Sequence, residues 1–123
     1  MMSIARVHTL AALGWMVFGM LFGLWMGAAE TPQFRPFHIG MMLGGFLMLA
    51  AVGAIFRLWP EMEHWRYARL HLWTMEIGVL GLNLGTLVQN LTGNIALQAL
   101  FSLPTILGAA LLLHGFWVTA ERT

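Results

Sequence analysis

Five histidines stand in a chain that is otherwise almost all hydrocarbon, and four of them sit where apolar runs begin or end. His8 opens the first run, His38 the second and His71 the third, while His114 lies near the end of the last. Polar groups inside a membrane tend to be functional. Imidazoles projecting from facing helices suit a haem iron with two axial histidines, or a copper or zinc ion with three. Carboxylate-rich metal sites are poorly supplied, because there is no Asp and Glu61 and Glu63 fall in a loop. A plainer reading stands beside this one: a histidine at a helix end can simply sit among lipid headgroups. His64, in the central loop, reads as solvated.

Arginine would serve a haem through its carboxylates, since guanidinium pairs well with them. Arg6, Arg66 and Arg69 all fall near the His8, His71 and His114 level. Abundant Met, Phe and Trp could line a macrocycle pocket, but the same residues build ordinary membrane core. Glu76 is the only formal charge between Leu70 and Ala120. With Asn83 and Asn90 at seven-residue steps it forms a polar stripe, answered by Gln98, Ser102 and Thr105 further on. Such stripes serve as inter-helix hydrogen-bond glue or as a proton path. His71 lies about 140° round the helix from Glu76, hence on another face.

The elements that must position these groups follow from composition. The 123 residues are 59% hydrophobic and 9% charged, with a net charge of +1. An ordinary soluble domain is roughly 25% charged, so lipid is the main solvent here. A soluble enzyme and a nucleic-acid binder are excluded, and the absence of cysteine removes disulfides and thiolate metal sites. Uncharged runs and the polar segments between them predict an all-α, four-transmembrane-helix bundle in a single domain. Its helices fall at about 7–29, 36–57, 70–88 and 95–119. The first run is too long for a signal-peptide core. The polar Gly-containing stretch Gln89–Asn94 is where the last long run must fold back. Its Asn90-Leu91-Thr92 pattern reads as a loop cap rather than a glycan acceptor.

Five of the six arginines (Arg6, Arg57, Arg66, Arg69 and Arg122) share one face with both termini, and only Arg35 lies opposite. Both termini are therefore expected in the cytoplasm of a bacterial-type inner membrane. Trp59, Trp65, Trp73 and Trp117 mark that inner face, and Trp25 the outer one. His8, His71 and His114 then cluster inside and His38 stands alone outside. Gly19, Gly23 and Gly27, Gly40 and Gly44, and Gly81 and Gly85 make small-xxx-small faces that bring backbones close in lipid. At least one such face is expected between protomers of a homo-oligomer.

Three stretches carry a family resemblance: FHIGMMLGG at 37–45, GAIFRLWP at 53–60, and Tyr67-Ala68-Arg69-Leu70-His71-Leu72-Trp73 with Ile77-Gly78. Together they resemble the haem–copper oxidase subunit I superfamily, particularly small stand-alone proteins similar to part of the cbb3-type subunit. The matching residues are His38, Gly44, Gly53, Arg57, Pro60, His71, Trp73 and Gly78. Val7-His8 with Gly14-Trp15 echoes Phe37-His38 with Gly44-Gly45 as a helix-level repeat. The resemblance implies b-type haem held by histidines and points to His38 as a helix-opening ligand. Nothing resembles the histidine pair and crosslinked tyrosine of the copper centre, so the chain is not expected to be a complete oxidase.

The expected function is a membrane b-type cytochrome for electron transfer or diatomic-gas binding, with His71, His8, His114 and His38 as candidate iron ligands. A redox partner or a respiratory complex would be its partner. Two alternatives stand beside it: a cofactor-free accessory subunit of a respiratory complex, and a Cu- or Zn-binding protein using His8, His71 and His114.

Overall fold

The structure, a computed structural model, describes residues 1–122 and is all-helical. Four long helices follow one another: α1 (Ile4–Ala28), α2 (Pro32–Leu58), α3 (Ala68–Thr92) and α4 (Ala96–Ala120). Each begins and ends within a few residues of the expected position, because a backbone in lipid must satisfy its polar groups internally. Local chemistry sets the ends. Ser3 caps α1 by accepting from the Arg6 amide. Gly93, at φ 75°, closes α3 in the left-handed conformation that glycine adopts without penalty. The Asn94 side chain then accepts from the Ala96 amide at 2.8 Å to open α4.

α2 is not uniform. A 3₁₀ turn (Pro32–Phe34) leads into α-helix at Arg35–Gly40, a π-helical stretch at Met41–Met48, and α-helix again at Leu49–Leu58. Wide turns of this kind are frequent at functional sites. A second 3₁₀ turn, Pro60–His64, carries the chain to α3. Here Glu63 reaches 58 residues back and accepts from the Ala5 amide at 3.1 Å, supplying a second acceptor to the first turn of α1 beside Ser3.

Three helices, α1, α2 and α4, are long and apolar enough to cross a membrane. α3 has the same length but carries Arg69, Glu76, Asn83, Gln89 and Asn90. It is the most enclosed helix, which shelters Glu76 and Asn83, while Arg69 and Gln89 are exposed near its ends. The packing departs from a symmetric four-helix bundle: α1 lies along α2, α3 touches both, and α4 packs chiefly along α3. Only Gly108, Gly115 and Thr119 of α4 are consequently buried. The α3–α4 seam is closed by glycine. A methyl group at Gly85 would fall 2.5 Å from the Gln98 amide nitrogen, and one at Gly78 2.7 Å from that of Thr105. Two apolar clusters form the core: Ile4, Ala5, Val52, Phe56, Met62, Ala68 and Leu72 in one, and Ala12, Leu49, Met75 and Val79 in the other.

Candidate functional site

His8 lies on α1 between core residues Ala5 and Ala12, and His71 on α3 between Ala68 and Met75. Both are wholly buried, at 0% exposure. α1 and α3 each enter the fold at the same end, so a histidine in the first turns of each reaches one level. The two rings stand 5.3 Å apart, centroid to centroid, and tilted by 56°. Phe56 from α2 completes a three-ring group, stacked on His71 at 5.4 Å and 6.0 Å from His8.

Each imidazole is fixed through Nδ1. The Glu76 carboxylate lies 2.7 Å from His8 Nδ1, and the Gly108 carbonyl 2.8 Å from His71 Nδ1. A carbonyl only accepts, so His71 Nδ1 carries the proton and its Nε2 is a bare lone pair. An ionised Glu76 imposes the same tautomer on His8. Both Nε2 atoms are buried and have no hydrogen-bond partner. Gly108 is what lets α4 approach here, since a methyl group there would lie 3.1 Å from the Met75 amide nitrogen.

The other candidates do not join the pair. His114 is exposed and packs against Trp65 and Tyr67, at centroid distances of 5.5 and 6.3 Å. It shares the end of the molecule with His8 and His71 but points away from the core. Among the described residues, no group of three or more His, Cys, Asp or Glu could hold a metal ion. A three-histidine ion site is therefore not formed. His38 sits against Gly23, where a methyl group would come within 2.7 Å of its Cε1, and its Nδ1 is buried without a partner. Arg6 and Arg69 are exposed, and Arg66 lies over the Tyr67 ring at 5.1 Å.

The two polar stripes do not bond each other. Glu76 turns to His8 instead, and Ser102 and Thr105 bond back to the Ala99 and Phe101 carbonyls. Asn83 is 4% exposed and faces Gly40 of α2, while Asn90 donates to the Gln33 carbonyl at 3.0 Å. Most glycines are likewise spent inside the chain: Gly19 on Met42, Gly45 on Trp15, Gly81 on Phe101. Gly27 and Gly44 have nothing within 4 Å of a methyl group placed on them.

The donor chemistry of the pair fits a transition metal, for metal-binding histidines characteristically anchor their second nitrogen on a carboxylate or a backbone carbonyl. The room fits an ion better than a macrocycle. With metal–imidazole bonds of about 2.0 Å, two trans ligands place ring centroids about 6.3 Å apart, and two ligands near a tetrahedral angle about 5.2 Å apart. The observed 5.3 Å matches the bent case. α1 and α3 are in direct contact and Phe56 fills the space beside them, so a haem does not fit between these rings in this packing. Comparison with protein-family models, curated proteins and solved structures gives no match to this chain.

Proposed function

We propose that this chain is a four-span membrane protein, with both termini on the cytoplasmic side, that holds a transition-metal ion between His8 and His71. The observation that carries this reading is the pair of buried, unpartnered Nε2 atoms on rings whose Nδ1 atoms are both anchored. Two unpartnered ring nitrogens on neighbouring rings in a dry core call for an electron-poor partner. Imidazole donors without thiolate or a third ligand favour copper over zinc, which takes four ligands in structural sites. Copper cycles between two oxidation states, and a buried copper held by neutral donors suits one-electron transfer within the bilayer. The arginine asymmetry supports the orientation, and α3 crosses as the fourth span because its central polar groups, Glu76 and Asn83, turn to neighbouring helices while Arg69, Gln89 and Asn90 lie at its ends.

Haem b is the second reading. The resemblance to haem–copper oxidase subunit I favours it, as do the two imidazole donors, the number axial ligation takes. It requires a wider packing in which Phe56 leaves the face of His71, as could arise between protomers of a homo-oligomer.

Purification in detergent, followed by metal analysis and visible spectra of oxidised and reduced protein, tests both. About one copper per chain, lost in His8→Ala and His71→Ala, supports the ion. A Soret band with sharp reduced α and β bands supports haem instead. Colourless protein without metal, even after reconstitution with copper(I) or haemin, overturns both and leaves an accessory subunit that packs on a larger respiratory complex.

A further inference from the structure

Basic charge collects at the end of the bundle where α1 begins and α2 ends. Among the described residues, the one carboxylate within ion-pair distance of a basic side chain is Glu76, and it faces His8. Arg6, Arg57, Arg66, Arg69 and Arg122 thus have no counter-charge there, and all five are exposed. Arginine cannot shed its charge to relieve this.

Two of these arginines are brought to one cavity. Gly53 of α2 lets α1 come close, since a methyl group there would lie 3.2 Å from both the Ala5 carbonyl oxygen and the Thr9 amide nitrogen. Arg57 is one helical turn beyond Gly53, and Arg6 adjoins Ala5, so the contact seats one arginine on each helix. A cavity of about 360 Å³ opens between the two helices, lined by Ser3, Ala5, Arg6, Thr9, Leu10 and Arg57. No acidic side chain lines it, and Glu63, which reaches the same turn of α1, is held on the Ala5 amide. Ser3 Oγ accepts from the Arg6 amide and keeps its own proton to donate. A larger cavity at this end, of about 570 Å³, sets Glu61 beside Arg66 and Arg122, so its charge is mixed.

Below Arg6, one face of α1 is open hydrocarbon. Leu10, Leu13, Val17 and Leu21 follow it at helical spacing, each 44–61% exposed. Leu10 belongs to both the cavity and this track, which makes the two continuous.

We infer that the cavity holds the phosphate of an anionic phospholipid, with Arg6 and Arg57 on its oxygens and an acyl chain along Leu10, Leu13 and Val17. The guanidinium fork matches phosphate geometry, and basic pockets between membrane helices suit such headgroups. Two arginines without a carboxylate favour a headgroup of net negative charge, because the amine of a zwitterionic one would meet only cations. A free phosphate ester shares the head chemistry but leaves the apolar track unused. This site stands apart from the histidine pair and needs nothing bound there.

The test is native mass spectrometry of the delipidated full chain in detergent, titrated with dioleoyl phosphatidylglycerol. Dioleoyl phosphatidylcholine, dioleoylglycerol and glycerol phosphate are titrated in parallel. The expected result is one tightly held phosphatidylglycerol per chain, with affinity falling about fivefold in Arg6→Gln and in Arg57→Gln. Arg69→Gln, exposed at the same end but outside the cavity, should bind as the wild type does. Unchanged melting temperatures in lipid-free detergent would separate loss of the site from loss of the fold. Equal binding of phosphatidylcholine or dioleoylglycerol overturns the inference, since acyl chains alone would then suffice. Equal binding of glycerol phosphate overturns it in favour of a free phosphate ester. Wild-type affinity in both cavity variants, or an equal loss in Arg69→Gln, overturns it as well.

Discussion

The Glu76 carboxylate of α3 lies 2.7 Å from His8 Nδ1 of α1, joining two helices through the only formal charge between Leu70 and Ala120. Glu76 is partly exposed while His8 is wholly buried, so the carboxylate bridges a polar seam and the dry core. This contact fixes the ring of His8 through Nδ1 and leaves Nε2 without a partner. Glu76→Gln keeps the shape but replaces the carboxylate by an amide. Its metal affinity should fall about 10–100-fold, the usual cost of losing such a supporting partner, as measured by competition with a copper chelator.

The histidines should separate cleanly. His8→Ala and His71→Ala are expected to lose the bound metal. Exposed His114 and distant His38 should keep it when changed to Ala, as metal analysis of purified variants would show. Retention of metal in His71→Ala would remove the pair as its holder.

Backbone contact along the α3–α4 seam predicts a graded response to small substitutions. Gly85→Ala drives a methyl group to 2.5–2.6 Å from the Gln98 backbone, which cannot rotate away. Overpacking of this kind costs about 1–3 kcal/mol or more. Gly27→Ala meets nothing and should stay within about 0.5 kcal/mol of wild type. Thermal unfolding in detergent reads both.

Glu63 ties the central loop to the start of α1. Glu63→Ala should cost about 1 kcal/mol, the typical worth of a helix cap. It should also speed hydrogen exchange at Ala5 in particular, whose amide loses its acceptor.

How far the sequence could be read depends on which physical constraint was acting. Helix positions were legible because lipid tolerates no unpaired backbone, so charges, Pro60 and the Gln89–Asn94 segment punctuate the chain unavoidably. Axial level was legible for the same reason, and it places His8 beside His71. Radial direction was not. A membrane helix is apolar nearly all round, so no stripe distinguishes an inward His71 from an outward His114. The partner of Glu76 lay on another helix, beyond any reading of its own spacing. Glu63 gave no signal as a cap because its acceptor role spans 58 residues. The off-centre place of α4 was hidden too, since lipid-facing and protein-facing positions there have the same composition.

The π-helical stretch Met41–Met48 acts as a length gauge within α2. An α-helix turns about 100° per residue, so deleting one residue there and letting the segment relax to ordinary α-geometry would swing everything downstream round the axis. Phe56 would leave its place beside His8 and His71, while His38, upstream, would stay against Gly23. One surplus residue thus sets the angular phase between the two ends of the helix, and the aromatic wall of the histidine pair depends on that phase being kept.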